Sequence, residues 1–65
     1  MIAEFLRRRK QKKELRDRIL KLEAQVIGWS RALPTIPAAY RDDARKDIAR
    51  KKGELDGVRH QLRQL

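Results

Sequence analysis

The chain has 65 residues, with 18 Lys+Arg against 9 Asp+Glu for a formal charge of +9, and it has no cysteine and one histidine. That length allows one small domain, and the composition excludes disulfides, thiolate metal sites, cysteine nucleophiles and a histidine metal cluster. Domains below about 70–80 residues usually need a staple, so association with another chain is the expected one. Charged residues make up 42% and hydrophobic ones 40%, with Phe, Trp and Tyr once each. This balance fits either disorder or a helical coiled coil, and periodicity decides between them. No apolar run reaches the roughly 18–20 residues of a membrane span. The opening Met1-Ile2-Ala3-Glu4-Phe5-Leu6 is too short for a signal-peptide core, and its positive charges come after it. The expectation is a soluble, cytoplasmic protein.

The first predicted element is a helix over about residues 2–33. Leu15, Ile19, Leu22, Val26, Trp29 and Leu33 step alternately by four and three residues, the rhythm of a helix-packing seam. Pro34 and Pro37 then break the pattern, because proline lacks the backbone donor and restricts the residue before it. Residues 34–36 are the expected hinge, with Thr35 as the expected cap of a second helix. That helix, over about 37–65, carries Ala44, Ile48, Leu55, Val58, Leu62 and Leu65 on the same rhythm, with Lys51 at the one missing step. A short connection suits antiparallel neighbours. The fold class is therefore all-α, an antiparallel two-helix hairpin of coiled-coil type forming one domain over 1–65.

A symmetric fold at the hinge pairs Val26 with Ala44, Leu22 with Ile48, Leu15 with Leu55 and Phe5 with Leu65. It also sets Lys12 and Arg8 against Val58 and Leu62. A further apolar stripe on the first helix, Leu20, Ala24 and Ile27 with Leu6 in the same heptad position, widens its apolar face. These residues and Trp29 are the expected interface of a homodimer, most simply a four-helix bundle. Trp29 is also expected to plug the core near the hinge. Gly53 and Gly57 lie four apart in the second helix and signal either a close helix crossing or a frayed end.

The charge pattern supplies the functional reading. Arg7-Arg8-Arg9-Lys10-Gln11-Lys12-Lys13 places six bases in seven residues. The expected fold brings Arg59, His60 and Arg63 alongside them, polarising the molecule. Such a run suits phosphates or an acidic protein surface. A basic stretch before heptads invites comparison with bZIP proteins, but the proline hinge folds these heptads back. No asparagine is present to read bases, so nucleic-acid contact would be phosphate-directed. The bases interrupt the apolar face rather than opposing it, which disfavours a membrane-surface role.

Tyr40, with Arg31, Arg41 and Arg16, is the expected anchor for a protein partner, since Tyr, Trp and Arg dominate interface hot spots. A hinge-closing contact of Tyr40 with Trp29 is the competing expectation. Ser30 and Thr35 have no histidine nearby to activate them, and Asp42, Asp43 and Asp47 read as helix-start charges. No catalytic residue, metal ligand, cofactor or small-molecule substrate is expected. In outline the chain is similar to small dimeric helical-hairpin regulators, such as the plasmid copy-number protein that binds RNA loops. The likeness is one of shape and implies no site residues. Short, highly charged hairpins are also typical of phage and mobile-element proteins that cover a host factor. The expected function is a non-enzymatic homodimeric regulator that binds and inhibits a protein target, such as a transcription regulator. A phosphate-gripping nucleic-acid accessory and a purely structural scaffold are the alternatives.

Overall fold

The computed structural model describes all residues 1–65. Helix α1 runs Ile2–Ala32, a 3-10 turn covers Leu33–Thr35, and helix α2 runs Ala38–Gln64. The two helices pack against each other as a hairpin 55 Å long and 15 × 11 Å across. The boundaries reflect the chemistry of the prolines. Pro34 sits in the first positions of the 3-10 turn, and Ile36 and Pro37 are extended, with ψ of 134° and 143°. Pro37 then precedes the first residue of α2.

Thr35 does not cap α2. Its hydroxyl donates to the Ala32 carbonyl at 2.6 Å, satisfying one of the carbonyls that a helix end leaves without a partner. The hinge is closed from the other side by Arg41, whose Nε donates to the Ile36 carbonyl at 2.9 Å and whose Nη2 donates to that of Pro34 at 3.4 Å.

The core consists of Leu22, Ile48, Leu55 and Val58. Leu22 clusters with Leu55 and Val58, and Leu15 and Ile19 pack on that cluster. All these residues lie on the predicted seam, yet the register differs from the symmetric one. Symmetric folding pairs Leu22 with Ile48, whereas its observed partner, Leu55, lies seven residues further along. The 3-10 turn prolongs α1 before the chain crosses over, so α2 begins later relative to α1. A slip of one heptad, about 10 Å, keeps every seam residue on the seam. Ile48 and Ala44 instead border a small hinge groove of about 230 Å3 with Trp29, Ala32 and Ile36. The seam now joins apolar residues where Lys12 and Arg8 were expected.

The slip frees the N-terminal end of α1. Residues 1–11 are all exposed, and Phe5 is 66% exposed rather than packed on Leu65. The C-terminal end of α2, with Gln61, Gln64 and Leu65, borders a groove with Gln11, Glu14 and Leu15. Residues 2–10 therefore project past α2 as a single helix. Independently of the register, at about 100° per residue, the stripe Leu20–Ala24–Ile27 lies roughly 150° around α1 from the seam. It forms a separate outer face and does not widen the inner one. Both Gly53 and Gly57 lie inside continuous α2, and a Cβ at either would meet nothing within 4 Å. Neither a close crossing within the protomer nor a frayed end accounts for them.

Candidate partner-binding surfaces

Three surfaces carry the residues singled out from the sequence. The first is the projecting arm, where Arg7, Arg8, Arg9 and Lys10 are exposed, continued at its base by exposed Lys13 and half-buried Lys12. None of these six bases, nor Arg16, forms an ion pair. The five ion pairs lie further along the chain, four of them within α2: Arg45–Asp42, Arg50–Asp47, Lys51–Glu54 and Arg59–Asp56. The arm's charge is thus unneutralised, while much of the charge on α2 is locally balanced. Ile2, Phe5 and Leu6 are 79%, 66% and 55% exposed. Their i, i+3, i+4 spacing puts them on one side of the arm, and Arg9 continues that side at the next turn.

The register removes two residues from this cluster. Arg59 reaches Glu23 at 2.7 Å, the one ion pair between the helices, and so lies well inside the hairpin. His60 is bonded to Gln64, 3.0 Å from ring nitrogen to amide. Since α2 ends beside residues 11–15, exposed Arg63 approaches only the inner end of the basic run.

The second surface is the hinge. Tyr40 is 64% exposed, so its ring stands in solvent and does not close the hinge. Arg31 is exposed in the last turn of α1, whereas half-buried Arg41 is committed to the hinge carbonyls. Trp29 is 39% exposed and forms a wall of the hinge groove rather than a core plug. Lys51 stands 6.0 Å from its ring centroid and 3.5 Å from Glu54. A cation over an aromatic face explains how a lysine occupies a seam position: its stem packs while its charge stays solvated.

The third surface is the outer face of α1. Leu20 and Ile27 are 64% and 52% exposed, and Ala24 is exposed between them. Trp29 does not belong to this face, since it lies along the seam.

No helix is long and apolar enough to cross a membrane. Comparison with protein-family models, curated proteins and solved structures finds no match.

Proposed function

We propose that the chain is a small non-enzymatic regulatory protein, acting as a homodimer, whose arm docks into an acid-rimmed apolar groove of a protein target. The observation that carries this reading is the heptad slip, which leaves residues 2–10 projecting as a helix with Ile2, Phe5 and Leu6 uncovered on one side. An amphipathic helix laid in a groove is read through anchors at this spacing. The unpaired bases behind the anchors complement an acidic rim, speed association and disfavour basic competitors. Tyr40, exposed at the opposite end of the hairpin, offers a second contact for an extended target. Covering a target's functional surface would inhibit it, as expected of a transcription-regulator antagonist.

A specific observation also favours nucleic acid. Arg7, Arg8, Arg9 and Lys10 are consecutive and exposed, and at about 100° per residue they point to all sides of the helix. Cations on every side suit a groove walled by phosphates. Exposed Ile2, Phe5 and Leu6 find no complement there, so the protein target remains the first reading.

The test is capture of partners from lysate, with and without nuclease, by wild type, Phe5→Ser, Tyr40→Ala and a variant with Arg7–Arg9 reversed to Glu. A protein that survives nuclease and is lost with both Phe5→Ser and the charge reversal supports the arm as a protein ligand. Nucleic acid that elutes with steep salt dependence and is indifferent to Phe5→Ser supports the second reading. Partners retained by every variant would refute the assignment of the arm and of Tyr40.

A further inference from the structure

The outer face of α1 has no cover within the protomer. Leu20, Ala24 and Ile27 are exposed, and a Cβ on neighbouring Gly28 would meet nothing within 4 Å. Asp17 and Arg31 lie one heptad before and after Ala24 on this face, and neither makes an ion pair. The surface is also large for the mass. A compact monomer of this size exposes about 4,300 Å2, whereas this 7.7 kDa chain exposes 5591 Å2. The excess is larger than the roughly 800 Å2 that each partner contributes to a standard interface.

We infer that a second copy of the chain covers this face, the two α1 helices packing back to back and antiparallel about a twofold axis at Ala24. The inference rests on the homodimer reading above and supplies its geometry. With Ala24 of one copy meeting Ala24 of the other, residues equally far before and after it come level. Leu20 then seats over the open backbone at Gly28 and beside Ile27. Asp17 comes level with Arg31 of the other copy, and symmetry makes the pair twice.

Charge decides against the parallel alternative. Parallel packing sets Asp17 beside Asp17 and Arg31 beside Arg31, and it brings two six-base runs together. Antiparallel packing holds the centres of those runs about 40 Å apart, several screening lengths at physiological salt. Because the outer face lies opposite the seam, the assembly is a flat layer in the order α2, α1, α1, α2 rather than a square bundle. Arg31 is thereby assigned to the dimer and not to the target. The two arms leave at opposite ends, each free to dock.

The absence of native cysteine permits a direct test with single Asp17→Cys and Arg31→Cys variants, after circular dichroism confirms wild-type helicity. The expected result is that neither variant cross-links with itself on oxidation, while an equimolar mixture does, since cysteines bridge only when their Cα atoms approach within about 7 Å. In sedimentation equilibrium, Arg31→Asp weakens the dimer about tenfold, and adding Asp17→Arg restores it to within about threefold. Self-cross-linking of Arg31→Cys would overturn the antiparallel geometry and leave the homodimer standing. A wild type that stays monomeric at millimolar concentration would overturn both.

Discussion

Arg41 shows how much one side chain contributes to this fold. Its guanidinium bonds two hinge carbonyls from the first turn of α2, while Thr35 holds a third carbonyl from within the turn. Arg41→Ala is expected to lower stability by about 1–2 kcal/mol, read as a fall in the thermal midpoint. Arg41→Lys recovers little of it, because lysine lacks the planar fork that spans two acceptors. The sequence marks Arg41 as an arginine beside an aromatic, a pattern that equally describes a partner-binding patch. Its actual role depends on where the Pro34 and Ile36 carbonyls point, which the hinge dihedrals set. Tyr40 and Trp29 were legible as aromatics near the hinge. Their exposure was not, since a heptad position fixes a direction around the helix and not what stands opposite.

Among the elements, both helices and the break between them were readable to within a few residues, because alternating four- and three-residue steps and two prolines are strong local signals. The glycines of α2 were not interpretable in that way. Gly53 and Gly57 face open space, so replacing either with alanine removes a flexible residue without a clash. Each of Gly53→Ala and Gly57→Ala is expected to stabilise the hairpin by up to about 1 kcal/mol, and the pair by up to about 2. Denaturant titration should show a higher midpoint. A loss of stability would mean that another chain approaches that face of α2. The arm behaves differently. It is a helix without a neighbour, carrying like charges three and four residues apart, among them Arg8 with Lys12 and Arg9 with Lys13. Such pairs weaken an isolated helix, so the arm is the segment most readily remodelled by a partner.

For the whole molecule, four buried residues in 65 make a small core, well suited to completion by a second copy. A dimer makes stability depend on concentration: a hundredfold rise above the dissociation constant contributes about 2.7 kcal/mol. The thermal midpoint should therefore climb by several degrees as protein concentration is raised a hundredfold, and a flat series would argue for a monomer. The helices, the faces they bury and the excess of positive charge were all present in the order of residues. Each comes from local chemistry or from a repeat along one chain. The register emerged only on folding, and with it the projecting arm and the pairing of Arg59 with Glu23 across the helices. The reason is periodicity itself. A seven-residue slip leaves every apolar residue on the same face, so the pattern cannot choose between registers. The choice falls to the turn, where Leu33–Thr35 prolong α1 before Ile36 and Pro37 carry the chain across.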